Sequence, residues 1–335
     1  MPEMRNLGHI DRALTNISVA YMQGADAFIA DKVFPIIRVQ KQSDVYFEYS
    51  KSDMFRNEVQ ERGRGAESVG GNWNARIADP YYCRKYAYHY DITEEERVNY
   101  DKPLDVERDT VEWLGHKMLL KREMDFAGKF FKTGVWSQDI GHGGTSEAAK
   151  WSDQTSDPVS EVNKAMLDMA EVTAVKPNFA IMSPDVFYAL KNHESIMDRI
   201  KYTQKGIITL DLIASLFELD RIFVPWAVYS DGAQLPHMDN TKDYSTDLDQ
   251  NTDMKFVYKG CMLLGHCAGR PSLKAPTAGY IFAWTGLEGA SAFGNRMVRI
   301  KMDQLGLSTE RFEMEMAYDM KVISKDCGIF FKDLV

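Results

Sequence analysis

The chain is poor in the residues that most often announce chemistry. Its four cysteines, Cys83, Cys261, Cys267 and Cys327, show no C-x-x-C spacing, which argues against a disulfide framework. Cys261, His266 and Cys267 lie close together, but a structural zinc site takes four ligands and no second pair stands at finger spacing. They read instead as small apolar residues of a strand. No apolar run reaches the about 18–20 residues of a membrane span. The opening MPEMRNLGHIDRALTN has neither an apolar core nor a small-residue cleavage site, so no signal peptide is read there. Positive charge is in deficit: the net charge of −9 argues against a general nucleic-acid binder.

Catalytic motifs are missing too. There is no G-x-S-x-G elbow, H-E-x-x-H pair, Walker motif or dinucleotide fingerprint. The glycine run Gly141 to Gly144 lacks a following Lys-Ser/Thr and reads as a loop. The seven histidines are scattered, and His116 reads as a core or interface residue of a helix. Thr93-Glu94-Glu95-Glu96 reads as a solvated acidic cap before a helix. No catalytic residue, cofactor or metal ligand is expected.

What the chain does have is an extended ribbon, about Gln42 to Asp91, running into one long amphipathic helix, about Leu104 to Phe131. On the outgoing strand Val45, Phe47 and Tyr49 alternate with Asp44, Tyr46 and Glu48, and on the return Tyr86, Tyr88 and Tyr90 share a face. The middle, Lys51 to Asn74, is polar, glycine-bearing and arginine-rich, and cannot bury itself on its own core. It reads as an arm that lies on another molecule. The helix begins after Pro103 with an acidic first turn. Val111, Leu114, Met118, Leu119, Arg122, Phe126 and Phe130 mark one face.

A mixed α/β region follows Asp157-Pro158. It holds a helix from Pro158, the buried strand NFAIM, a helix capped by Ser183 with Pro184 at its first position, and a polar acidic loop over 230–253. Near the end, RMVRIKMD and RFEMEMAYD form a hairpin turning about Leu305 to Ser308. Val298, Ile300 and Met302, with Phe312, Met314 and Met316, are expected on the long helix. Arg299–Glu315 and Lys301–Glu313 are expected as outer ion pairs.

The segments ISVAYMQGADAFIADKVFPIIRVQKQSDVYFEYSK, TVEWLGHKMLLKREMDFAGKFFKTGVW and KPNFAIMSPDVFYALKNHESIMDRIKYTQKGIITLDLIASLFELDRIFV, with the closing hairpin and GIFF, stand in the order of parts of a tailed-bacteriophage major capsid protein. The resemblance covers nearly the whole chain. It implies an α+β capsid fold shared with encapsulins and the herpesvirus capsid floor. The expected parts are an N-terminal arm (1–41), an extended loop (42–91), a peripheral domain (92–157) with spine helix 104–131, an axial domain (158–286), a peripheral hairpin (287–322) and a return strand (323–335). It also implies a non-enzymatic coat protein that self-assembles as hexamers and pentamers around double-stranded DNA, in the virion, after assembly in the host cytoplasm. Scaffolding, portal and decoration proteins are the further partners, and no membrane is involved. Because the chain opens on the arm, scaffolding is expected from a separate protein or none. Lys41 and Lys51 lie near the loop, where some relatives cross-link, but no partner is marked here and no cross-link is expected. DNA contact is expected to be weak and without sequence specificity. Loop-tip Arg56, Arg62 and Arg64 are expected to meet Glu107, Asp109 and Glu112 of a neighbour's helix. An encapsulin-like compartment and an α/β enzyme with a dispersed site are the alternatives.

Overall fold

The computed structural model describes residues 23–99, 105–144, 148–200, 208–230, 254–271, 275–287, 289–291, 294–302 and 309–335. The weak helical spacing of Ala13, Ile17, Tyr21 and Met22 in the sequence, the acidic loop after residue 230 and the hairpin turn lie outside the described residues.

The long helix runs Val106–Phe130. Asp105 caps it, its carboxylate accepting from Glu107 N and Arg108 N. At the far end Trp136 Nε1 donates to the Phe130 carbonyl at 2.8 Å, satisfying one of the acceptors a helix terminus leaves open. Leu114, Met118, Arg122, Phe126 and Phe130 are buried as the spacing predicts, whereas Val111 is exposed.

Two sheets flank this helix. In the first, Thr309–Val322 is the hub and pairs antiparallel with Arg84–Thr93, Asn295–Met302 and Gly279–Trp284. Ile36–Val39 adds a parallel edge strand on Gly279–Trp284, where the residue after Pro35 can sit without a missing donor inside the ladder. The returning half of the ribbon therefore belongs to this sheet from Arg84 onward. Only Ser43–Tyr49 and Ala75–Tyr82 pair with each other as a projecting loop.

The hairpin register differs from the expected one by three residues. Arg299 stands opposite Phe312, Lys301 opposite Glu310 and Arg296 opposite Glu315. An odd shift exchanges faces, so Val298, Ile300 and Met302 turn away from the helix, and Met297 and Arg299 share the face of Phe312 and Met314. The reason is Glu310. It is buried, and a buried carboxylate needs paired donors; Arg299 and Arg97 both reach it, the latter at 2.5 Å. That requirement, with a second strand bound along the hub, outweighs an exposed charge ladder.

The second sheet has the order Gln138–Gly141, Gly328–Lys332, Met262–Gly265, Phe179–Met182, Arg221–Phe223. Its central strands are buried on both faces. Helices Pro158–Thr173, Pro184–Lys191 and Leu210–Leu216 pack on it through Val162, Met169, Leu190 and Ile213. Gly328 faces Gly265 across the ladder, and a Cβ there would intrude on the Trp136 ring. Ser183 sits at the helix N-cap as expected, yet its hydroxyl is turned to Cys261, donating to the carbonyl and accepting from the amide.

Candidate assembly surface

The projecting loop is fastened at its root and again at Lys51. Tyr81 stacks on Phe282 at 4.5 Å and Tyr46 at 6.0 Å, with Cys83 buried beside them. Burial pushes the Cys83 thiol up to about 12, so it is an inert core group. Tyr82 N donates to Asp319 at 3.0 Å, and Lys51 pairs with Asp326 at 3.0 Å.

Past the root the alternation is inverted. Tyr46 turns inward to Phe282, while Phe47 and its cross-strand partner Ile77 stand 57% and 66% exposed. Val59 at the tip is 91% exposed. Isolated exposed apolar residues are ordinary, but a paired apolar face on a ribbon with no second layer marks a contact surface. The sequence reading took the alternation as a strand signal and missed that its apolar side has no core to enter.

The predicted tip arginines are all exposed. Arg56 pairs with Glu58 at 2.8 Å and lies 3.6 Å from Asp53, and Arg62 donates to the Ala66 carbonyl at 2.5 Å. Of the helix acids, Glu107 is engaged by Arg97 at 3.1 Å and Arg299 at 3.3 Å, and Glu112 by Arg108 at 2.8 Å. Asp109 has no ion pair among the described residues. The tip and these acids are not brought together within the protomer.

Two junctions tie the lobes into one subunit. Glu123, fully buried, accepts from Ile29 N and Ala30 N at 2.9 Å each and from the Tyr258 hydroxyl at 2.7 Å. Burial raises its carboxyl above the usual range. Arg122 beside it donates to both Asp31 oxygens, at 2.7 and 2.6 Å, and to Asn295 at 2.6 Å. The segment Ile29–Asp31, the long helix, Tyr258 and the hairpin strand at Asn295 thus meet at two adjacent residues. At the other end of the helix, Glu310 is held down to about 2 by hydrogen bonds from Arg299 and then Arg97. His116 packs edge-on against Phe28, and burial lowers its value.

Among the described residues no helix is long and apolar enough to cross a membrane. The arrangement is two sheets on one long helix, with a loop that projects from the protomer. The family Phage major capsid protein E matches residues 144–251. The major capsid protein of Burkholderia phage BcepMu is 25% identical over 235 residues, covering 69% of this chain and 73% of that protein. A phage-related protein from Bordetella bronchiseptica RB50 superposes with a TM-score of 0.67 at 18% identity, over 93% of this chain and 94% of that one. The capsid of cyanophage P-SCSP1u follows at 0.62 and 10% identity, over 97% and 92%. The SrpI encapsulin of Synechococcus elongatus PCC 7942 shares the fold at 0.52 and 10% identity, over 96% and 94%. The fold is the tailed-phage capsid fold. With the sequence relationship to phage coat proteins, the chain is a major capsid protein of that class.

Proposed function

We propose that copies of this chain join as hexamers and pentamers and close an icosahedral shell around double-stranded DNA. The observation that carries this reading is the loop Ser43–Tyr82, anchored at its root and apolar on the exposed face of Phe47 and Ile77. Laid on an adjacent subunit, each loop adds a modest contact, and closure multiplies it over the shell. At the tip, Arg56, Arg62 and Arg64 meet the acidic first turns of the neighbour's helix. There Asp109 is the acceptor, because Glu107 and Glu112 already have partners within their own chain. The protein acts structurally, in the virion after assembly in the host cytoplasm. It works with scaffolding, portal and decoration proteins and without a membrane.

The test is deletion of residues 55–72 from the expressed chain, followed by electron microscopy. A folded protomer that forms no stable shell is expected, and normal particles from the deletion would sink the role of the loop tip in joining subunits. An encapsulin-type compartment has the same fold, and particle contents separate the two: packaged DNA against cargo enzyme.

A further inference from the structure

The stretch Tyr81 to Tyr90 sets Arg84 and Lys85 among tyrosines, and the fold lays its tyrosines beside basic residues of the long helix. Along the long helix Trp113, Lys117, Lys121, Asp125 and Lys129 form one i, i+4 ridge, with Lys117 to Lys129 spanning about 18 Å. Beside it lies the helix-facing side of strand Arg84–Thr93, carrying Tyr86, Tyr88 and Tyr90. Lys117 Nζ is 5.7 Å from the Trp113 ring centre and Lys121 Nζ 5.1 Å from that of Tyr86. Tyr88 and Tyr90 pack on Trp113 at 5.4 and 6.0 Å, and both are exposed.

We propose that this helix-and-strand face is a contact surface for the phosphate backbone of duplex DNA, without sequence preference. The proposal rests on the coat-protein reading, in which DNA is the shell's content. Two observations favour a polyphosphate over a protein partner. First, the ridge is cationic on a chain whose net charge is −9. The carboxylates within ion-pair reach are Asp125, on Lys121 at 2.7 Å, and Asp319, on Lys129 at 3.0 Å, while Lys117 has none among the described residues. Second, the ridge has no arginine, the residue of the chain's two-oxygen carboxylate contacts, while lysine makes single-point ones at Lys51–Asp326 and Lys85–Glu315. Arg97, Arg122, Arg299 and Arg311 all sit in carboxylate pairs, where the planar guanidinium fits two oxygens at once. The ridge uses lysine, a hydrated point charge on a flexible stem. Lysine ammonium and tyrosine hydroxyl groups are donors that contact phosphate without reading bases. Sequence-blind contact of that kind holds DNA and still lets it slide.

The experiment compares the wild-type chain with K117Q/K121Q, and with K164Q/K259Q as a charge-matched control outside this face. Labelled duplex is titrated from about 20 to about 150 mM salt, where each neutralised phosphate contributes a log–log slope of about 0.9. Wild type should bind at the low end, fall below detection as a single protomer at the high end, and quench Trp113 emission, an effect absent in W113F. The double variant should lose about 2 from the slope, the control nothing, and K117R/K121R should retain binding. Circular dichroism checks that each variant is folded. Equal binding by the double variant and wild type overturns the proposal. So does normal binding with failed shell assembly, which would assign the ridge to a second copy of the chain. Failure of the wild type to form shells while the slope change persists would overturn the coat-protein reading instead.

Discussion

Replacing Glu123 separates hydrogen bonding from charge where the long helix meets Ile29, Ala30 and Tyr258. Glu123→Gln keeps an acceptor for Ile29 N and Ala30 N and a group able to meet the Tyr258 hydroxyl. It also removes a carboxylate whose burial is unfavourable, so the net change should be within about 1 kcal/mol. Glu123→Leu fills the same space but strands three donors in a dry site. At roughly 1–3 kcal/mol each, partly offset by the lost burial of charge, the cost is about 3–6 kcal/mol. With an unfolding entropy of about 2.1 cal/mol/K per residue over this chain, that lowers Tm by about 4–9 °C. The pH dependence gives an independent sign. An acid whose folded value is raised binds its proton more tightly when folded. Its contribution to stability therefore falls as pH rises above the ordinary 4.5. Glu123→Gln should flatten that slope. Scanning calorimetry or fluorescence melting on unassembled protomers reads both effects. Equal melting of the leucine and glutamine variants would refute the hydrogen-bond argument, and an unchanged slope in the glutamine variant would refute the burial argument.

Glu310 should behave in the opposite sense: with its folded value held at about 2 by Arg299 and Arg97, its contribution is fully present above about 4.5 and is lost as pH falls toward 2. Acid unfolding of Glu310→Gln should accordingly lack that component in a pH-jump melting series. Ala174 closes helix Pro158–Thr173 at φ 59°, a left-handed position where a Cβ is unfavourable. Ala174→Gly should stabilise the axial lobe by about 0.5–1 kcal/mol in urea titration, and destabilisation would show that this residue's packing outweighs its backbone strain.

Much of the frame was legible because its signals are local. The helix Val106–Phe130 was readable from its spacing, its cap and its acidic start, and NFAIM and GIFF from unbroken apolar runs. The hairpin was readable as a hairpin, but not its register. Arg296, Arg299, Glu310 and Glu315 allow more than one charge ladder, and the choice fell to Arg97, which is 213 residues from Glu310 in sequence. Likewise Phe47 looks like a core residue in any one-dimensional pattern, because alternation reveals two faces and not which one has something to pack against. Lys117 and Tyr88 carry no signal separately; the pairing of Arg84–Thr93 with the hub strand sets Tyr88 on Trp113, the ring that Lys117 also faces.

Asp319 joins the loop to the long helix through one carboxylate: one oxygen receives Tyr82 N at the loop root, the other Lys129 near the end of the helix, both at 3.0 Å. The loop is therefore a lever whose fulcrum is bolted to the chassis. In the hexamer-and-pentamer assembly proposed above, the same chain meets its neighbours at two tilts. With the fulcrum fixed, that difference in tilt is taken up along the loop itself, beyond Tyr82, or transmitted whole to the helix.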